Sequence, residues 1–257
     1  MESYLLDRYL RLPDGSLPHV QVRPGEVGTV AILCGSPRRV ERVSERLAGA
    51  RRLSGDRGYT VYVGGYRGEA ITVANSGLGC PSVAVAAEEL IAAGARALIR
   101  AGSCASIDPS LPIGDLLIAT AAVPDEGTSP YYGSDGSPSP ASSELVTALR
   151  SAAKALDRPV QTGTIRSTDS FYEGERKREI IDHWRSENVC AFDMESSALF
   201  TVARALGSAA AAILVAGSNL VLGTSTYQGV GAEAYRAGEE EMIEVALEAA
   251  ARLAPTV

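Results

Sequence analysis

The chain has 257 residues, 46% of them apolar and 21% charged, proportions that exclude a disordered or low-complexity protein and suffice for a sizeable core. Its 31 Asp and Glu outnumber 24 Lys and Arg, for a formal charge of −7. That sign argues against a broad nucleic-acid or anionic-membrane face and leaves room for a local anion site made by a few arginines.

Residues 1–12 interleave Glu2, Asp7, Arg8 and Arg11 with apolar residues, whereas a secretory signal needs a basic start and an unbroken apolar run. The most apolar stretch, 209–217, is too short to cross a bilayer. Cys34, Cys80, Cys104 and Cys190 are scattered without a CxxC pair, and His19 and His183 are the only histidines. The expectation is a cytoplasmic protein with buried free thiols, no disulfide framework and no metal site.

Residues 27–34 form a compact apolar run that predicts a buried strand, ended by Gly35-Ser36-Pro37. A helix is expected over 38–47, with Val40, Val43 and Leu47 facing inward. Strands follow at 60–66 and 70–74 around a turn at Arg67-Gly68-Glu69, then a helix over 82–93 stopped by Gly94. Further strands are expected at 97–101, 115–122, 160–165 and 210–216, and helices at 143–156, 175–184, 194–206 and 232–253. The Gly/Ser/Pro-rich stretch 127–142 reads as a surface loop. This alternation predicts a three-layer α/β/α sandwich with a central mixed sheet and helices on both faces. No internal repeat is present, so 1–257 reads as a single domain with residues 1–17 as an N-terminal extension.

Ligands of such sheets gather where strands end and loops lead into helices, and three segments have that form. In Gly35-Ser36-Pro37-Arg38-Arg39, glycine permits close backbone approach and a helix start with arginine attracts anions; the competing reading is a structural turn before a basic helix. Arg100 sits inside an apolar strand and needs an anionic partner, with Ser103 near enough to share the anion; a structural carboxylate would satisfy it equally. In Asp193-Met194-Glu195, the carboxylates either complement a helix dipole or, at Glu195, accept a vicinal diol while Met194 lies against a flat apolar ring system.

With Ser76 to Ser82, residues 98–106, Gly114-Asp115, residues 125–129 and residues 193–197, these segments resemble the hexameric nucleoside phosphorylases, which include uridine phosphorylase and bacterial purine nucleoside phosphorylase. The match spans roughly 18–253. The resemblance implies that Gly35, Arg39, Arg100 and Ser103 hold phosphate, joined by Arg57 from a neighbouring subunit. It implies that Glu195 and Met194 grip the ribose and that His19 of a neighbour reaches the sugar 5′ position. On the base side it implies Phe171, Glu175, Lys177, Asp193 and Asn219, with Arg100, Glu195 and Asn219 closest to the chemistry.

The implied reaction is displacement at the anomeric carbon of a nucleoside, uridine-like or purine, by inorganic phosphate. It yields free base and ribose 1-phosphate, with phosphate as co-substrate and no metal or redox cofactor. The implied partners are nucleoside, phosphate and further copies of the chain, as a dimer or trimer of dimers, with no nucleic acid and no membrane. Hydrolysis of the same bond by a nucleosidase is the alternative, although three arginines favour phosphorolysis; a non-catalytic nucleoside-binding homologue is another. Ser36 replaces the family's usual aspartate, and Ala105 a common glycine. Glu175 and Lys177 stand where uridine phosphorylases read uracil with glutamine and arginine. Asn219 stands where bacterial purine nucleoside phosphorylases carry the aspartate that protonates purine N7, so Asn219→Asp is expected to raise turnover of 6-aminopurine nucleosides.

Overall fold

The computed structural model of the chain describes residues 9–256; residues 1–8 of the expected N-terminal extension lie outside them. The first strand, β1 (Val30–Cys34), is buried at every position, as an uninterrupted apolar run requires. Pro37 opens α1 (Pro37–Ser44) in its first turn, where the missing N–H costs nothing. That helix stops three residues earlier than expected, because residues 45–47 already turn the chain into β2 (Ala48–Ser54). Five of the seven β2 residues are exposed, so this edge strand has no apolar alternation and left no signal in the sequence. β3 (Val61–Tyr66) and β4 (Glu69–Asn75) form a hairpin whose turn residues, Arg67 and Gly68, take φ of 50° and 89°. Both central residues at positive φ give the turn twist that a hairpin favours.

Helix α2 (Cys80–Ala93) ends at Gly94, φ 124°, and leads into β5 (Ala97–Ser106). β5 is twice as long as the sequence suggested, because Gly102 and Ser103 interrupt its apolar pattern without interrupting its ladder to β10. After β6 (Leu116–Asp125), the stretch expected to be a loop supplies β7 (Ser139–Pro140), which pairs with β6, and buries Ser129 and Ser139. Next come α3 (Ser143–Ala155), β8 (Val160–Thr168), α4 (Lys177–Ser186), β9 (Val189–Asp193) and α5 (Ser196–Ala205). β10 (Ala209–Asn219), β11 (Thr224–Ser225) and α6 (Ala232–Leu253) complete the order.

The strands make one mixed sheet, β11-β10-β6-β8-β9-β5-β1-β4-β3-β2. β5 lies parallel to β1 and β10 and also pairs antiparallel with β9 through Ala105 and Ser106. That extra pairing closes β5, β10, β6, β8 and β9 into a ring and leaves β1, β4, β3 and β2 as an open wing. Period-two alternation sends Ala31, Leu33 and Leu98 toward α2 and α5, and Val30, Ile32 and Ile99 toward α1, α3 and α6. The sandwich expected from the alternation of elements is thus present, with apolar layers on both faces. No helix among the described residues is long and apolar enough to cross a membrane.

Candidate active site

The closure of the ring brings the carboxyl ends of β1, β4 and β9 against the middle of β5. Arg100 is at that junction, 4% exposed. A buried guanidinium keeps its charge and must be paired. Its Nε donates to Asp193 Oδ2 at 3.1 Å and its Nη2 to Glu195 Oε2 at 2.5 Å. Nη1 is buried and has no partner among the described residues. Gly35 is its neighbour on the β1 side: a side-chain carbon built there would come 3.8 Å from Nη1. Gly102 lies under the same guanidinium, and a carbon built on it would come 2.7 Å from Arg100 Cζ. Glycine two residues along the strand is what lets this arginine fold back over the sheet.

Glu195 is held from three directions, by Arg100, by the Gly79 N–H at 2.8 Å and by the Met194 N–H at 3.2 Å. Burial pushes its carboxyl above the ordinary value against the pull of the Arg100 charge, with Asp193 adding to the rise. For Arg100 itself burial works against the charge, and Glu195 and Asp193 outweigh it, so the guanidinium is held above its ordinary value. Met194 is half-buried beside them.

Asp193 corrects the sequence reading. Its Oδ1 accepts from Ser167 Oγ at 2.6 Å, and its Oδ2 accepts from Ser196 Oγ at 2.6 Å, from the Ser196 N–H at 3.1 Å and from Arg100. The side chain is fully buried among these donors, so its place is beneath Arg100 and not at a base. Asn219 is a second correction. It is fully buried. Its Nδ2 donates to the carbonyls of Asp108 (2.8 Å) and Leu111 (3.1 Å), and its Oδ1 accepts the N–H groups of Val221 and Leu222. The amide staples two loops together and has no hydrogen left for a leaving group.

The other expected phosphate residues are spread out. Arg39, on α1, is 5% exposed; its Nε donates to Glu239 at 2.7 Å, its Nη2 to the Tyr235 hydroxyl at 3.0 Å and its Nη1 to the Ala101 carbonyl at 3.1 Å. The last contact sets it one residue from Arg100. Both charges act on Cys34, tempering the burial that pushes its thiol up to about 11. Ser36 makes no side-chain cap at the start of α1. Ser103 is exposed on β5.

His19 and the turn carrying Arg57 form a separate patch. His19 Nδ1 lies 2.6 Å from Glu89 Oε1 and donates to it. Its ring meets Tyr59 edge-on at 6.2 Å. Arg57 is exposed, at φ 54°.

The base-side residues sit on the rim. Phe171 is 56% exposed and meets Tyr172 and Tyr227 edge-on, at 4.9 and 5.9 Å. Glu175 lies in a short 3-10 turn and Lys177 starts α4, two residues later than the helix was expected; both border a depression with Leu220 and Val221. Nearby, donor atoms of Cys80, Glu126 and Asp169 fall within 4.8 Å of one another. Glu126 accepts from Ser197, Thr128 and Ser129, and Asp169 from Gly127. Burial, then Glu126 and Asp193, push the Cys80 thiol up, so it stays protonated and this group braces loops.

Sequence reading missed Glu239 and Tyr235, which hold Arg39, and Arg166 on β8. The signal for Arg166 was the one that found Arg100, an arginine following apolar strand residues, but the strand was ended at Ile165.

Residues 29–257 match the model of the phosphorylase superfamily. A uridine phosphorylase of Thermococcus kodakarensis is 37% identical over 99% of this chain and 92% of its own. A guanosine phosphorylase of Halorubrum lacusprofundi is 35% identical over 80% and 85%. The crystal structure of a purine nucleoside phosphorylase from Toxoplasma gondii in complex with immucillin-H superposes with a TM-score of 0.88, at 31% identity over 96% of this chain and all of that one. The chain belongs to the phosphorylase superfamily, among its nucleoside phosphorylases.

Proposed function

We propose that this phosphorylase acts on a nucleoside whose base carries adjacent ring N–H and amino donors, as guanine does, with Arg100 as the centre of its phosphate site. The observation that carries the reading is the buried Nη1 of Arg100, without a partner among the described residues and near Gly35. A buried donor of this kind costs about 1–3 kcal/mol unless an acceptor satisfies it, and a phosphate oxygen is that acceptor. Arg39 and Ser103 extend the cage. Glu195 takes the 2′ and 3′ hydroxyls and Met194 packs on the ribose. Phosphate beneath the sugar then serves twice, as the positioned nucleophile and as the charge that stabilises an oxocarbenium-like ring while the electrons of the C1′–N bond leave with the base. The products are the base and ribose 1-phosphate, with inorganic phosphate as the co-substrate.

On the base side, a carboxylate at Glu175 accepts from two adjacent donors and an ammonium at Lys177 donates to a carbonyl. Guanine offers both. Uracil offers one N–H between two carbonyl oxygens, which a carboxylate repels. The guanosine phosphorylase relative supports this choice; uracil is the second reading, favoured by the uridine phosphorylase relative. The pairing of His19 with the Arg57 turn on one patch away from Arg100 supports lending both to a neighbouring copy in a homo-oligomer, and the enzyme works in the cytoplasm. Base release from guanosine, uridine and adenosine, measured with and without phosphate, tests the whole. Phosphate-dependent release, fastest from guanosine, is expected; release independent of phosphate would make the chain a hydrolase and overturn it.

A further inference from the structure

The proposed chemistry leaves a third buried arginine, after Arg39 and Arg100, without a task. Arg166, on β8, is 5% exposed, and its guanidinium lies between the rings of Phe192 at 4.9 Å and Trp184 at 5.3 Å. Its Nε and Nη2 donate to Asp125 Oδ2 at 2.8 and 2.5 Å, Nη2 also to Thr168 Oγ1 at 3.2 Å, and Nη1 to Glu173 Oε1 at 2.6 Å. Asp125 ends β6 and Thr168 ends β8. Glu173 belongs to neither; it lies in the loop between β8 and α4, yet its side chain is only 9% exposed.

Position in the loop gives this contact its meaning. Glu173 follows Phe171 by two residues and precedes Glu175 by two, and two residues of chain reach at most about 7 Å. Gly174, at φ 60°, supplies the bend before Glu175. Fixing Glu173 therefore fixes where the ring and the second carboxylate stand, although all three base-side residues, Phe171, Glu175 and Lys177, are themselves exposed. The fork of Arg166 suits this work, because two of its edges grip the sheet while the third grips the loop. The flanking rings of Trp184 and Phe192 keep the fork in plane.

We infer that Arg166 is a positioning residue for base recognition: through Glu173 it holds the 169–177 loop in the conformation that presents Phe171, Glu175 and Lys177. The inference rests on the reading that this loop faces the base. A purely stabilising ion pair would instead act on the whole molecule, so two measurements separate the roles. Arg176 closes the loop, and Lys177 and Arg178 open α4 directly after it, so trypsin reads opening there without any turnover. Arg166→Met and Glu173→Ala should speed cleavage there by about tenfold or more, as a released buried contact shifts the open population. Glu173→Gln, which keeps an oxygen for Nη1, should stay close to the wild type, with Arg166→Lys in between. In steady-state kinetics the first two variants should raise the nucleoside KM by about tenfold or more and leave the phosphate KM within about twofold.

Should Arg166→Met fail to fold, Glu173→Ala decides, since it leaves the sheet intact. Unchanged tryptic cleavage overturns the clamp, and so do nucleoside and phosphate constants that rise together with a general loss of stability. Faster cleavage with an unmoved nucleoside KM overturns the link to the base while leaving the phosphate site standing. A wild-type enzyme that cleaves no nucleoside would sink the proposed function, and the tryptic measurement would still judge the clamp.

Discussion

Arg100 and Phe171 mark two regions of the site made from opposite materials. Around Arg100, three buried charged side chains are locked into one network by backbone N–H groups and serines, with a single donor left over. Around Phe171, the aromatic and charged side chains stand in solvent on a loop, and order reaches them from one buried contact behind. The inner wall is fixed by its own hydrogen bonds, the kind of preorganisation that electrostatic catalysis requires. The rim can change its residues without disturbing the sheet, because its side chains stand in solvent.

The sharpest way to break the inner wall is Arg100→Met. It strands two buried carboxylates, so a loss of about 3–5 kcal/mol of stability is expected by denaturant titration, with activity down about a thousandfold. Glu195→Gln asks the milder question. It keeps the shape and should cost about ten- to a hundredfold in nucleoside kcat/KM, since it replaces a charged acceptor. Because burial raises the Glu195 carboxyl, the proton that disables it binds above the ordinary carboxylate range. The acid limb of kcat/KM should therefore fall at higher pH than for an exposed glutamate. A bound phosphate anion should push that limb higher still, and Glu195→Gln should abolish it. An acid limb at an exposed carboxylate's position, or one that survives in the variant, would separate Glu195 from the diol.

Between wall and rim lies Asn219, and here the structure reverses the expectation from sequence. In Asn219→Asp a carboxylate would face the carbonyls of Asp108 and Leu111, which now accept from its amide. A loss of about 1–3 kcal/mol in stability is expected, read as a lower Tm, with no gain in adenosine phosphorolysis.

This reversal shows what the sequence could carry. Strands buried on both faces, such as Val30–Cys34, and long helices such as Ala232–Leu253 were legible because burial writes itself into composition. The need of Arg100 for an anionic partner was legible too, since a charge in an apolar strand demands a reason, and Asp193 and Glu195 meet it. Edge strand Ala48–Ser54 was not, being exposed along most of its length. Short strand Val189–Asp193 was not either; its five residues run directly into the helix start that drew attention. The resemblance that flagged Asp193 and Asn219 could not say which way their side chains point. Direction comes from partners distant in sequence, Ser167 for one and Asp108 and Leu111 for the other.

The smallest effect sharpens the rim. Glu175→Gln with Lys177→Arg converts an acceptor-only carboxylate and a point charge into an amide and a planar fork. The amide can accept from the single N–H of uracil while donating to a neighbouring carbonyl, and the fork can donate to the other. For guanine the same amide accepts from one donor and presents its own N–H to the second. The ratio of kcat/KM for uridine over guanosine should rise by about tenfold, the worth of one or two exposed hydrogen bonds. Phosphate KM and Tm should hold, because neither side chain touches the wall. If the double variant moved phosphate binding as well, the two regions would be coupled through the loop, and the separation between a fixed wall and an adjustable rim would fail. If the ratio stayed put, the base would be read elsewhere, and the depression beside Leu220 and Val221 would lose its claim to the base edge.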